Sequence, residues 1–134
     1  MDKPIELPLR AQEDVVVVRQ AVRSEAVALG LSLVEQTKLV TAASELGRNT
    51  VIHGGGGTAT LETIQEPTRR GIRLTFHDRG PGIRDIEQAM RDGFTTGSGL
   101  GLGLGGARRL TNEFSIESAP GVGTKIVITQ WRRQ

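Results

Sequence analysis

The sequence predicts an α+β fold, a two-layer α/β sandwich in which a mixed, mainly antiparallel sheet has helices on one face. Three observations lead to this prediction. Segments with period-two alternation come in pairs joined by short turns, which is typical of antiparallel hairpins. Three longer segments have apolar residues at helical spacing. No strand–helix–strand repeat runs along the chain, so a parallel sheet with helices on both faces is not expected.

The first strand and the first helix follow from these two periodicities. Residues 5–9 alternate and should form a strand, and Pro8 favours a sheet edge because proline donates no ladder hydrogen bond. Apolar residues recur at helical spacing over residues 12–29, and Gly30 is a natural stop. The run Val15–Val18 is β-branched and also suits a strand, which leaves the start of this helix open.

The second long helix has a recognisable start and stop. Ser32 and Glu35 have the spacing of a capping box, in which each side chain accepts a hydrogen bond from the backbone amide of the other residue. The helix should therefore begin at Leu33. It should end near His53, because the glycine run Gly54–Gly57 follows.

The second half of the chain should contain four strands and two helical pieces. In chain order the predicted elements are a strand over 58–65, a turn over 66–68, a strand over 71–77, a polar helical piece over 85–91, a loop over 92–96, a glycine-rich segment over 97–106 leading into a helix that ends near residue 112, a strand over 114–118, a turn over 119–123 and a strand over 125–131. Strands joined by such short turns should pair antiparallel.

Composition and charge favour a single domain over residues 1–134 that binds neither membrane nor nucleic acid. The 134 residues can bury one sizeable core, and the absence of cysteine excludes disulfides and thiolate metal sites. No apolar run reaches membrane-spanning length and no signal-peptide pattern begins the chain, so we expect a cytoplasmic protein. With a net charge of +2 and 3% aromatic residues, the chain lacks both a basic stripe and a stacking platform for nucleic acid.

The stretch 78–83, Asp-Arg-Gly-Pro-Gly-Ile, is the centre of the functional interpretation. The preceding strand, 72–77, puts its apolar side chains on one face, and Asp78 falls in the same phase. A carboxylate at the edge of an apolar layer costs several kcal/mol unless donors meet it. Gly80 and Gly82 allow an unusual backbone path and leave room for a flat group. The stretch is either the mouth of a ligand pocket or a strand-ending turn with a solvated aspartate.

A polar stripe on the second helix could carry phosphoryl-transfer chemistry. Glu45, Asn49 and His53 are spaced i, i+4, i+8 and lie along one stripe of that helix. A glutamate can orient or deprotonate a hydroxyl, and an asparagine oxygen can bind Mg²⁺, which retains water and phosphate as its other ligands. The alternative is a solvated helix face, with His53 near the last helical carbonyls.

The glycine-rich segment 97–106 has the features of an anion site. Glycine and leucine alternate and lead into a helix, where backbone amides and the helix dipole attract anions. Gly101, Gly103 and Gly106 match G-x-G-x-x-G, but no strand precedes them, so a dinucleotide-binding fold is not expected. A flexible linker is the alternative. Leucine at every second position instead favours backbone that faces a ligand while the leucines anchor it beneath.

The order of four motifs resembles the GHKL ATPase family. Glu-x-x-x-Asn on a helix, Asp-x-Gly-x-Gly, a glycine-rich helix opening and Gly-x-Gly-Thr at 121–124 follow one another as the N, G1, G2 and G3 boxes do. The similarity covers about Leu33 to Ile128. Within the family the chain resembles the anti-sigma-type serine kinases, in particular the switch kinases of the stressosome. The stretches that carry this closer likeness are 44–49, 92–96, 109–114 and 131–132.

The resemblance implies a Bergerat fold that binds ATP and Mg²⁺. Glu45 would be the catalytic base and Asn49 the ligand of Mg²⁺. Asp78 would accept a hydrogen bond from the adenine amino group, and Gly80 and Gly82 would form the loop against which the base lies. The remaining expected nucleotide-binding residues are Gly99, Gly101, Gly103 and Gly105, whose backbone amides would bind the phosphates, and Thr124, whose hydroxyl would support the adenine site.

The resemblance also implies a function. The chain would be a protein serine/threonine kinase that phosphorylates a STAS-domain antagonist and, once released, binds and activates a PP2C-type phosphatase or another effector. An alternative is a nucleotide-dependent binding module of the anti-sigma-factor kind, which sequesters a partner without phosphotransfer and contacts it through Phe94. A small basic nucleic-acid binder is a third interpretation.

Overall fold

A computed structural model describes residues 3–91 and 103–132 of the chain. Within these ranges the chain forms five strands and four helices. In chain order they are β1 (Ile5–Leu9), α1 (Gln12–Leu29), α2 (Leu33–Ile52), β2 (Gly57–Gln65), β3 (Arg70–Asp78), α3 (Ile86–Ala89), α4 (Gly103–Arg109), β4 (Glu113–Ala119) and β5 (Gly123–Trp131). The predicted loop over 92–96, Phe94, Gly99 and Gly101 lie outside the described residues.

The five strands form one sheet in the order β1-β2-β3-β5-β4. All four pairings between these strands are antiparallel, so the described sheet has no parallel pair and is simpler than the mixed sheet expected. The strand β1 lies at an edge, as Pro8 predicted. Because β3 is central, its last residue, Asp78, has neighbours on both sides, Gly57 on β2 and Thr124 on β5.

The helices α1 and α2 lie on one face of the sheet and close the core, which confirms the predicted α+β class. Alternate residues of β3 point towards them and are almost completely buried, as period-two alternation requires. The largest fully buried side chains come from both layers: Leu9, Ile72, Leu74, Phe76 and Ile128 from the sheet, and Val18, Val22, Leu39 and Leu46 from the helices. Among the described residues, no helix is long and apolar enough to cross a membrane.

The start of α1 is helical through its β-branched run. Val15 and Val18 are buried, whereas Val16 and Val17 are about half exposed, which is the spacing of a helix and not of a strand. The helix ends at Gly30, which has the left-handed φ of 89° and donates its amide to carbonyls of the last turn.

The predicted capping box of α2 is present, while two later helices are shorter than predicted. The amide of Glu35 donates to Ser32 Oγ at 3.1 Å, and the amide of Ser32 donates to Glu35 Oε1 at 3.2 Å. The helix α3 has four residues. The helix α4 ends at Arg109, because Asn112 is drawn to β5, where its side chain accepts from the amide of Trp131 at 2.7 Å.

A pH-dependent contribution to stability comes from Asp14 at the start of α1. Its Oδ2 accepts from the amides of Arg10 at 2.7 Å and Ala11 at 3.1 Å, and these hydrogen bonds lower the pKa of the carboxyl. A lowered folded-state pKa stabilises the protein fully above the unfolded pKa of about 3.9, and the contribution is lost as the pH falls through the folded value.

We therefore expect Asp14→Asn to lower the melting temperature at pH 7, and the difference from the wild type to close below about pH 4. Thermal unfolding followed by circular dichroism between pH 7 and pH 3 measures this. Glu13→Gln, which removes a charge from the same helical turn, is the control. A difference for Asp14→Asn that does not change with pH would contradict the role of the carboxylate.

Candidate functional site

The carboxylate of Asp78 is buried at the end of the central strand, as its phase predicted. Asp78 is 8% exposed, and its Oδ1 accepts from the amide of Gly80 at 2.9 Å. No other described residue donates a hydrogen bond to this side chain, and no fully buried side-chain oxygen of the described residues lacks a partner. The second oxygen, Oδ2, therefore remains accessible to a donor that enters from outside the protein. The interpretation of Asp78 as a solvated turn residue is wrong.

Gly54, which directly follows the C-terminal cap of α2, contacts the loop that begins at Asp78. A side-chain carbon on Gly54 would overlap the Asp78 carboxylate, and one on Gly80 would lie 2.6 Å from the carbonyl oxygen of Gly54. Both distances are shorter than real carbon contacts, so any larger residue would force the helix and the loop apart. The absence of these two side chains lets the helix that carries Glu45 and Asn49 contact the end of β3 directly.

The glycines at 82 and 123 also serve contacts within the protein. Gly82 has a φ of +77°, and a side-chain carbon there would overlap the carbonyl of Ala119 on β4. Gly123 has a φ of +133°, and its side-chain position is occupied by the carbonyl of Asp78. Other residues rarely adopt such φ values. The Asp-x-Gly-x-Gly loop and the Gly-x-Gly-Thr turn are therefore packed against each other, backbone to backbone.

Ser118 connects these two segments, and the sequence interpretation did not include it. Its Oγ accepts from the amide of Ile83 at 2.8 Å, donates to the carbonyl of Gly123 at 3.0 Å and lies 2.8 Å from Thr124 Oγ1. A serine hydroxyl has one hydrogen, so when Gly123 receives it, Thr124 must donate to Ser118. The lone pairs of Thr124 then remain for a donor in the pocket.

The stripe on α2 is only partly a solvated face. Glu45 is 9% exposed, Asn49 is half-buried and His53 is exposed, so the stripe leads from the interior towards the glycine run. Positions i and i+4 of a helix lie about 6 Å apart, which places Glu45 and Asn49 on successive turns of the same helix face. The asparagine oxygen is a hard ligand of the type that Mg²⁺ prefers. The donor set therefore fits a magnesium ion that takes its other ligands from phosphate and water.

The described part of the glycine-rich segment packs against α2. The helix α4 begins at Gly103, which is buried and has a φ of +71°, and α4 contacts α2. Leu104 is 7% exposed and belongs to the core, in agreement with leucines that anchor the segment beneath. Gly105 is buried as well. Gly103 and Gly105 therefore lie in an element that contacts the helix of Glu45 and Asn49.

Gly54 was missed as a site residue because the sequence shows only a glycine run that ends a helix. We expect Gly54→Ala to weaken the binding of Mg-ATP at least about tenfold, because the added methyl group displaces the Asp78 carboxylate. Titration calorimetry measures the affinity. Gly47→Ala is the matched control, since its methyl group would meet Val15 at an ordinary 3.6 Å and should stabilise the helix by about 0.5–1 kcal/mol. Equal affinities in the two variants would contradict the contact.

Ser118 provides a second test of the pocket. We expect Ser118→Ala to lower the affinity for Mg-ATP roughly 5- to 10-fold, because Thr124 loses its hydrogen-bond partner and the amide of Ile83 loses its acceptor. Ser115→Ala, an exposed serine of the same strand, should bind as the wild type does. Calorimetry at one pH compares the three proteins. A melting temperature that falls with no change in affinity would assign Ser118 to stability alone.

Comparisons with known proteins agree with the family resemblance seen in the sequence. The family described as histidine kinase-, DNA gyrase B-, and HSP90-like ATPase matches residues 34–134. The chain is 42% identical over 120 residues to the serine/threonine-protein kinase RsbT of Bacillus subtilis, with 90% of each chain covered. It is 32% identical over 117 residues to the anti-sigma F factor of Thermoanaerobacter sp. (strain X514), with 84% of this chain and 82% of that protein covered.

Solved structures support the fold independently. The RsbU and RsbW domains of a Mycobacterium tuberculosis protein align with a TM-score of 0.66 at 21% identity, covering 98% of this chain and 34% of the longer one. The mycobacterial sensor histidine kinase MprB aligns with a TM-score of 0.57 at 18% identity over the whole of both chains. At such identities the likeness shows the fold alone. Together with the family match and the relatives above 30% identity, it shows that this chain belongs to the histidine kinase-, DNA gyrase B- and HSP90-like ATPases, the GHKL family.

Proposed function

We propose that residues 1–134 form a single-domain, Mg-ATP-dependent protein serine/threonine kinase of a partner-switching pathway. Its substrate would be a STAS-domain antagonist, and after release it would bind and activate a PP2C-type phosphatase or another effector. The observation that carries the proposal is the buried Asp78 carboxylate with one accessible oxygen, in contact with the end of the helix that bears Glu45. The 42% identity to the serine/threonine-protein kinase RsbT supports the proposed kinase activity.

The Asp78 end of the site would recognise adenine. The Oδ1 atom is occupied by the amide of Gly80, which fixes the carboxylate, and Oδ2 can accept a hydrogen bond from an exocyclic amino group. Thr124 lies directly opposite Asp78 in the β3–β5 ladder, so its lone pairs are next to the same space. A carboxylate and a hydroxyl that both act as acceptors favour a base with an amino group at this edge. A guanine, which presents a carbonyl at the equivalent position, would be repelled.

Glu45 and Asn49 would carry out phosphoryl transfer. A bound magnesium ion would supply charge neutralisation at the phosphates. Asn49 would hold it, and Glu45, one turn earlier on α2, would orient the substrate hydroxyl and accept its proton. Gly103 and Gly105, with Gly99 and Gly101, would provide backbone amides for the phosphates. Phosphoryl transfer depends mainly on such positioning and charge neutralisation.

A second candidate function is a nucleotide-dependent binding module that sequesters a partner without phosphotransfer. The 32% identity to an anti-sigma F factor supports this second candidate. Glu45 separates the two candidates, because a pure binder has no need for a carboxylate at this position of α2.

The kinase proposal predicts a separation of binding from transfer. We expect Glu45→Ala to bind Mg-ATP as the wild type does but to transfer phosphate to a STAS-domain protein about 10²- to 10⁴-fold more slowly, because the base is lost. We expect Asp78→Asn to lose affinity roughly 10- to 100-fold, because an acceptor becomes a partial donor. Calorimetry and transfer from labelled ATP measure the two properties.

Thr41→Ala, an exposed residue one turn before Glu45 on α2, is the control for both measurements. Equal transfer by wild type and Glu45→Ala would refute the role of the base. Stable complex formation with a partner and no transfer by the wild type, with any STAS-domain protein tested, would favour the binding module.

A further inference from the structure

A second cleft lies at the end of the sheet remote from Asp78. The β2–β3 turn, residues 65–70, and Arg132 line a cavity of about 250 Å³. The strand β3 runs from Arg70 at this cleft to Asp78 at the nucleotide end, and its nine residues span about 25 Å. The cleft is therefore separate from the site described above. We call it the Arg70–Arg132 cleft.

At this cleft two arginines, Arg70 and Arg132, occupy directly opposed positions at the ends of the neighbouring strands β3 and β5. Gly71 pairs with Trp131 in the antiparallel β3–β5 ladder, and one step further the amide of Arg132 donates to the carbonyl of Arg70 at 2.8 Å. Directly opposed residues of an antiparallel pair project to the same face of the sheet, and like charges in that position are destabilising. Neither guanidinium forms an ion pair with a carboxylate in the described part of the chain.

The neighbouring Arg69, unlike this pair, has a carboxylate partner and an aromatic partner. Its guanidinium lies 3.7 Å from the centre of the Trp131 ring, and its Nε pairs with Glu66 at 2.8 Å. The indole of Trp131 in turn donates to Glu113 at 2.7 Å, and the missing side chain of Gly71 leaves room for the ring. These contacts fix the turn that forms one wall of the cleft.

Arg132 is also held in place from the helix layer. A side-chain carbon built on Gly30, the left-handed residue that ends α1, would lie 3.3 Å from Arg132 Nε. The last turn of α1 has no basic residue of its own, so the guanidinium lies at the negative end of the helix dipole. The position of Arg132 is thus set by its contact with the end of α1, and that of Arg70 by the backbone hydrogen bond between the two residues.

We propose that the Arg70–Arg132 cleft is a docking site for an acidic segment of a protein partner. The fork-shaped guanidinium groups match carboxylates, and a carboxylate between them would relieve the repulsion of the opposed pair. A volume of about 250 Å³ accommodates one or two acidic side chains. Nucleic acid is disfavoured because Arg69 covers the face of Trp131 on which a base would stack.

The test uses the full chain without nucleotide, so that its result does not depend on the kinase proposal. A fluorescein-labelled peptide of glycine, serine and four glutamates is titrated by anisotropy at low salt, beside a matched peptide with four lysines. We expect the acidic peptide to bind, and Arg70→Gln/Arg132→Gln to weaken binding about tenfold or more. Arg19→Gln/Arg23→Gln is the matched control, because it removes the same charge from the exposed face of α1.

A second measurement covers the case in which the double variant does not fold. The single variants Arg70→Gln and Arg132→Gln, each of which removes one exposed charge of the cleft, should each weaken binding of the acidic peptide, and neither protein should bind the lysine peptide. Absent saturation, equal loss of affinity in both double variants, or stronger binding of a DNA oligonucleotide than of the acidic peptide would each overturn the proposal.

Discussion

The contact between Gly54 and the Asp78 carboxylate is the constraint on which the candidate site depends. It joins the end of α2 to the end of the central strand with no side chain between them. The contact does two things at once. It buries the carboxylate against backbone, and it sets the distance from that carboxylate to the polar stripe of α2. A larger residue at this point would separate the Asp78 carboxylate from the polar stripe of α2.

Glycine has a different role here from the one that the sequence indicated. From the sequence, Gly80 and Gly82 were expected to leave room for a ligand to approach the backbone. In the structure the space at Gly80 is used by Gly54, and the space at Gly82 by the carbonyl of Ala119. The loops pack backbone to backbone. A glycine motif can thus mark a nucleotide site because the surrounding loops must approach each other closely.

Local signals predicted most of the fold. The capping box located the start of α2, Gly30 located the end of α1, and phase alone placed Asp78 in the buried layer. These features depend on residues within one or two turns, and the sequence contains that information directly. The end of α4 was misplaced because Asn112 responds to a strand that follows almost twenty residues later.

Ser118 and Gly54 escaped detection for the same reason, since their roles exist only after the chain has folded. Ser118 acts through its position opposite Thr124 on β5, and the turn over 119–123 was the one available hint of that pairing. Gly54 acts through a contact with a strand more than twenty residues away. The two arginines of the remote cleft likewise meet only through the register of β3 and β5.

The uninterrupted pairing of β3 with β5 has a mechanical consequence. Both strands extend the whole way between the two ends of the sheet, with eight paired positions from Gly71 to Asp78. A slip of one residue between the two strands would reverse which side chains face the core, so the register of the ladder is fixed. The ladder therefore holds the Arg70–Arg132 cleft and the Asp78 carboxylate at a constant separation of about 25 Å along the sheet.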